Sequence, residues 1–133
     1  MTQEEIFQHL PYTEPFLFVD ELLTLTSDQV IGSYRFRENA FFYQGHFKDH
    51  PVTPGVILTE CMAQIGLVCM GILLIQKPLS SKFAAAMTHC DIEFLHPVFP
   101  GERVEVRSEK EYFRFNKLKC HVTMINSEGK KVA

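Results

Sequence analysis

One stretch of this chain concentrates groups able to move protons and to stabilise negative charge. It runs from Gly45 to Gly66 and holds His46, Glu60 and, between them, Thr53-Pro54-Gly55-Val56. Thr53 is a residue type that caps helices, and Pro54 fits a first helical position, where its missing N–H is no loss. Gly55 and Val56 would then hold backbone N–H groups with no partner inside the helix. Such a helix start, with free donors and the positive end of the dipole, can stabilise an oxyanion such as a thioester enolate. Histidine is the usual general base near neutral pH. A carboxylate one and a half turns into an apolar helix is costly to bury without a purpose. His46 and Glu60 lie close enough in sequence to face one cavity, so a base, an acid and an oxyanion site are all present. Each alone has a plainer reading: His46 as a loop imidazole satisfied by backbone, and Glu60 as a carboxylate favoured by the helix dipole.

Other chemistries fit less well. His46 and His50 have zinc-compatible spacing, but no Cys-x-x-Cys pair supports a metal and the four cysteines are scattered. No metal or cofactor is therefore expected. Cys61 beside Glu60 reads as packing rather than as a nucleophile. Cys61 and Cys69 lie two turns apart on one helix, about 12 Å by helical rise and beyond disulfide reach. Cys90 and Cys120 fall in expected strands or their ends, as small hydrophobes. Neither a nucleophile elbow nor a phosphate loop is present.

These residues need a scaffold. The 133 residues, 46% hydrophobic and 22% charged, suit one soluble globular domain spanning residues 1–133. The formal net charge of −3 argues against a nucleic-acid partner. The N-terminus lacks the pattern of a secretory signal, which makes the cytoplasm the default location. Gln3 to Leu10 predicts a short helix stopped by Pro11. The apolar run after it lays Phe16, Leu17 and Val19 on the core, Asp28 to Arg37 predicts a strand, and Glu38 to Thr53 a loop.

Val56 to Gln76 is the longest apolar segment. With Thr59, Glu60 and Gln64 in its first half it reads as a helix enclosed by its own domain and not as a membrane span. Gly66 and Gly71 would admit a neighbouring backbone. The helix breaks at Lys77-Pro78. Three strand-like stretches follow Pro100-Gly101. In one of them Leu118, Cys120, Val122 and Met124 alternate with Lys117, Lys119, His121 and Thr123, the period of a half-buried strand. Ser127-Glu128-Gly129 predicts a hairpin turn whose returning strand is nearly absent. The architecture implied is α+β: an antiparallel sheet that must curve around one long, almost wholly buried helix.

The motif Gly45-His46-Phe47, Pro54-Gly55 and Glu60-Cys61-Met62-Ala63-Gln64 resembles that of the β-hydroxyacyl-acyl-carrier-protein dehydratases of the FabZ type. The likeness extends to Leu10-Pro11, Pro15-Phe16-Leu17, Val19-Asp20, Phe94, Pro97-Val98 and Pro100-Gly101. It implies a hot-dog fold, in which the sheet wraps the helix beginning near Pro54. It also implies a homodimer, with trimers of dimers common in the family, in which His46 of one subunit meets Glu60 of the other.

The activity implied is loss of water from a (3R)-hydroxyacyl thioester to give the trans-2-enoyl thioester, on an acyl carrier protein. His46 would take the C2 proton, the Gly55 N–H would polarise the carbonyl beside Val56, and Glu60 would protonate the departing hydroxyl. Phe83 and Phe94 could border an acyl tunnel, with core packing as the alternative. Arg114, Lys117 and Lys119 are candidates for docking the acidic carrier, or else a solvated strand face. A hot-dog thioesterase, an enoyl-CoA hydratase and a non-catalytic acyl-binding subunit are the competing readings.

Overall fold

The computed structural model describes residues 1–76 and 85–133; Phe83 and the Lys77-Pro78 break lie outside them. A helix, α1 (Gln3–His9), opens the chain. Thr2 caps it in a reciprocal box, its hydroxyl accepting from the Glu5 N–H while the Glu5 carboxylate accepts from the Thr2 N–H. Two antiparallel strands follow, β1 (Glu21–Leu25) and β2 (Gln29–Arg35), then a 3-10 turn over Phe41–Gln44. The long helix α2 covers Gly55–Ile75. It is α-helical over Gly55–Ala63 and Cys69–Ile75, with one wider π turn over Gln64–Val68 between. Strands β3 (Arg103–Arg114) and β4 (Lys117–Ile125) complete a four-stranded antiparallel sheet of order β1-β2-β3-β4.

The sheet receives α2 on one face because its strands alternate. Val30, Gly32 and Tyr34 in β2, Val104, Val106 and Ser108 in β3, and Met124 in β4 are buried on that face. In β4 the expected alternation is observed: Leu118, Cys120 and Val122 are half-buried, and Lys117, Lys119 and His121 face solvent. Small residues let the helix come close. A Cβ on Gly66 would sit 3.1 Å from the Ser108 Cβ, and the Ser108 hydroxyl instead donates to the Gly66 carbonyl at 2.8 Å. Gly32 lies under Ile65, with 2.7 Å between a hypothetical Cβ and the Ile65 Cγ2 and 2.9 Å to the Glu21 carbonyl oxygen. Phe18, Phe36, Ile6, Ile65, Met70 and Ile72 fill the remaining space. Burying each such side chain contributes on the order of 1.5–3 kcal/mol.

Several expectations need correction. Phe16 is 41% exposed, and Phe18, at 1%, occupies the core instead. Glu14 to Phe16 form a turn, so no strand period governs which side chain enters. Gly71 has no neighbour within 4 Å of a hypothetical Cβ, so only Gly66 admits a close approach. Cys90 is exposed and outside any strand. Of the three stretches after Gly101 two are strands; the third, beyond the turn at Ser127-Glu128, is a single bridge between Ile125 and Lys131.

Nor is α2 almost wholly enclosed. By length and composition it could cross a bilayer, with a mean hydropathy of 2.0, but half of its apolar stretch packs inside the fold. The other side carries half-exposed apolar residues within this single chain, and Val56 is 77% exposed.

Gly32→Ala tests the helix–sheet approach. Backbone on one side and Ile65 on the other leave the methyl group no space, so the substitution should destabilise the fold by about 1–3 kcal/mol. Urea unfolding at fixed protein concentration checks it.

Candidate active site

The loop before α2 holds His46 by backbone and ring together. Its N–H donates to the Phe42 carbonyl at 3.1 Å, and its own carbonyl accepts from the Val52 N–H at 3.0 Å. The ring Nδ1 lies 2.9 Å from the Val52 carbonyl oxygen. A carbonyl only accepts, so Nδ1 carries a proton, and in the neutral ring the lone pair is then on Nε2. That is the tautomer a general base needs. The ring also stacks on Phe47, with centroids 3.8 Å apart.

His46 borders a cleft of about 450 Å³, along with Thr53, Gly55, Leu58, Phe94 and His96. The start of α2 opens into it. Pro54, not Thr53, is the cap residue, and no side chain caps the helix. The Thr53 hydroxyl is engaged elsewhere, 2.5 Å from that of Tyr43, so capping preference yields here to a tertiary partner. The N–H groups of Gly55 and Val56 therefore have no acceptor among the described residues; the first backbone bonds of the helix start at Ile57 and Leu58, both to the Pro54 carbonyl. Phe94 lies across this helix start. A Cβ on residue 55 would stand 3.0 Å from its ring, so the ring comes this close because the residue is glycine.

Glu60 sits on α2 with its carboxylate accepting from the Gln64 side-chain N–H at 3.0 Å. Gln64 is fully buried and makes two further bonds. Its Oε1 accepts from the Phe18 N–H at 2.8 Å, and its Nε2 donates to the Phe16 carbonyl at 3.2 Å. The spacing of four residues puts Glu60 and Gln64 on one helix face. The amide thus ties the carboxylate to the segment ahead of β1.

Glu60 does not line the cleft that holds His46. Proximity in sequence suggested that one chain would bring both to a single cavity, and the described residues do not. Thirteen residues of loop and helix intervene, and the helix turn carries Glu60 to another face. Arg114, Lys117 and Lys119 are also remote. They flank the β3–β4 turn, and none of them lines the cleft. There the Arg114 guanidinium lies over the Tyr112 ring and Lys119 pairs with Glu111. Sequence reasoning named Gln64 as part of the motif without giving it a role, and left His96 as a structural or surface residue. The four-residue step from Glu60 could have flagged the first; His96, beside Pro97, carried no local signal.

The cysteines of α2 offer no nucleophile. Both are buried, and burial raises the Cys61 thiol far above its ordinary range and pushes Cys69 up to about 12. Among the described residues no three His, Cys, Asp or Glu side chains converge as metal ligands would.

Residues 10–132 match the family model of the FabA-like domain. This chain belongs to that family. Among its FabA-like relatives, the 3-hydroxyacyl-[acyl-carrier-protein] dehydratase FabZ of Gluconobacter oxydans is 34% identical over 113 residues, 84% of this chain and 66% of that protein. The enzyme of the same name from Campylobacter hominis is 39% identical over 106 residues, 77% of this chain and 72% of its own. That of Sinorhizobium medicae is 37% identical over 120 residues, 89% and 75%.

Two solved structures share the fold of this FabA-like chain. The PaaI protein of the E. coli phenylacetic acid degradation operon superposes with a TM-score of 0.59 at 16% identity, over 84% of this chain and 74% of that one. A hypothetical thioesterase from Streptococcus pneumoniae, with coenzyme A, gives 0.60 at 15% identity, over 84% and 77%. The fold is the hot-dog, a curved antiparallel sheet around a central helix.

Two outcomes test this description. Gln64→Leu should cost about 1–3 kcal/mol, because it leaves the buried Phe18 N–H without an acceptor; the thermal or urea transition reads it. Thiol alkylation at pH 8 followed by mass mapping should leave Cys61 and Cys69 unmodified in the folded protein and label both in denaturant.

Proposed function

We propose that this chain is a 3-hydroxyacyl-[acyl-carrier-protein] dehydratase, a hydro-lyase of fatty-acid or related polyene or polyketide biosynthesis. The observation that carries the mechanism is the His46 imidazole, held by the Val52 carbonyl with Nε2 free, beside the unpaired N–H groups of Gly55 and Val56. The FabZ relatives supply the substrate class: they are named for acting on 3-hydroxyacyl groups on an acyl carrier protein.

In this reading residues 1–133 act as one domain in the cytoplasm, on a (3R)-hydroxyacyl thioester. His46 Nε2 takes a C2 proton, and the electron pair of that C–H bond moves into the thioester as an enolate. The Gly55 and Val56 N–H groups face its oxygen, where preorganised donors act most strongly. As the enolate collapses, the C2–C3 double bond forms and the C3–O bond breaks. The leaving hydroxyl takes a proton from the Glu60 carboxyl, directly or through a water, and departs as water. The trans-2-enoyl thioester remains on the carrier. The imidazolium and the carboxylate then exchange the proton, and the site is reset. Phe94 covers the helix start and borders the path of the acyl chain.

Because Glu60 does not line the His46 cleft of its own chain, the pair is completed by a second protomer. A homodimer brings Glu60 of one chain to His46 of the other across the open side of α2. A carrier docked at Arg114, Lys117 and Lys119 would serve the cleft of a neighbouring protomer rather than its own.

The first test follows enoyl-thioester absorbance with 3-hydroxyacyl and crotonyl thioesters on carrier protein and on coenzyme A. Wild type should interconvert the two forms, and His46→Ala and Glu60→Gln should each lose on the order of 10²-fold or more in kcat. A wild type inert on all carriers and chain lengths overturns the assignment. Mixing the two inactive variants after reversible dissociation should restore about a quarter of wild-type sites if each site spans two chains, and none if it lies within one.

A further inference from the structure

His46 rides on a loop whose ends are joined by a bond between two hydroxyl groups. Tyr43, in the 3-10 turn, and Thr53, just ahead of α2, are both buried, and their oxygens lie 2.5 Å apart. The segment between them carries His46. Burial raises the pKa of the phenol, so Tyr43 keeps its proton, and either hydroxyl can donate in this bond.

What this bond holds is one peptide plane. The Val52 carbonyl and the Thr53 N–H belong to the same rigid unit and cannot turn independently. The N–H donates to the Val98 carbonyl at 2.8 Å, and the Val52 carbonyl, on the opposite edge, accepts from His46 Nδ1 at 2.9 Å. Thr53 Oγ1 fixes the Cα at one end of that plane. Releasing it lets the plane rock, and the carbonyl swings away from the imidazole. A histidine without that acceptor reverts toward the Nε2-protonated tautomer, whose cleft-facing nitrogen has no lone pair to offer.

We propose that the Tyr43–Thr53 pair is a positioning device for His46, holding the Val52–Thr53 peptide so that the imidazole proton stays on Nδ1. The clamp serves the base role assigned above, but its own test does not require that role. Neither side chain needs to touch the substrate. Both removals are nearly isosteric: Tyr43→Phe deletes one oxygen, and Thr53→Val replaces a hydroxyl with a methyl.

The experiment compares imidazole ¹⁵N shifts in histidine-labelled protein, with the His46 signals assigned from the His46→Ala spectrum, alongside steady-state kinetics. In wild type His46 should show a protonated Nδ1 and an unprotonated Nε2. Tyr43→Phe and Thr53→Val should each move His46 toward the other tautomer and lower kcat about tenfold, with KM changed less than about twofold. The double variant should be no worse than either single one, because both remove the same bond, and Thr53→Ser should retain wild-type shifts and turnover. Folded variants, checked by circular dichroism, that keep the wild-type tautomer overturn the proposal. A shifted tautomer with unchanged turnover supports the clamp and overturns the assignment of His46 as the base.

Discussion

The contact between Gly66 and Ser108 sets how near α2 can come to the sheet, and most of the molecule depends on that distance. A helix seated against a curved sheet through two small residues leaves no room for water, so its backbone must find partners in protein. Ser108 supplies one by donating to the Gly66 carbonyl. The π turn over Gln64–Val68 lies at this point, and it contains both Gly66 and Gln64. Gly32, beneath Ile65, continues the same low track across β2. With the helix fixed in depth, its N-terminus reaches the loop of His46, and Glu60 is presented at a defined height above the N-terminal segment.

Electrostatics in the site is handled almost entirely by backbone. A carbonyl orients His46, and the first amide groups of α2 have no acceptor among the described residues. Neither group can be deleted by a side-chain change; they move only when peptide planes move, and a side chain acts on them only through what holds those planes. Two aromatic rings flank them, Phe47 stacked on the imidazole and Phe94 over Gly55, both about half exposed in the single chain.

The parts of this architecture legible in the sequence are those governed by local rules. The alternation from Lys117 to Met124 foretold the face of β4, and the apolar run after Pro54 foretold the central helix. Gly55 at the helix start was legible too, because the chemistry of free amides follows from position alone. What escaped depends on partners distant in sequence. Thr53 has the residue type of a cap but bonds Tyr43; Phe16 and Phe18 exchange places because a turn, not a strand, carries them past the core. The separation of Glu60 from the His46 cleft comes from helix rotation and depth, which no short-range pattern encodes. The resemblance to the dehydratases placed both residues in one site and implied that different subunits provide them.

Gln64 gives the N-terminal region a significance out of proportion to its lack of reactive groups. Because one buried amide holds the Glu60 carboxylate and the main chain at Phe16 and Phe18 together, the leader of β1 is part of the scaffold of that carboxylate. The boundaries of a minimal module are set accordingly. A fragment starting at β1, though it would retain every strand and the whole of α2, would leave that amide facing solvent on two sides. Grafting the motif from Gly45 to Gly66 into another frame meets the same difficulty: the recipient must bring its own extended segment, at the same height, to receive Gln64.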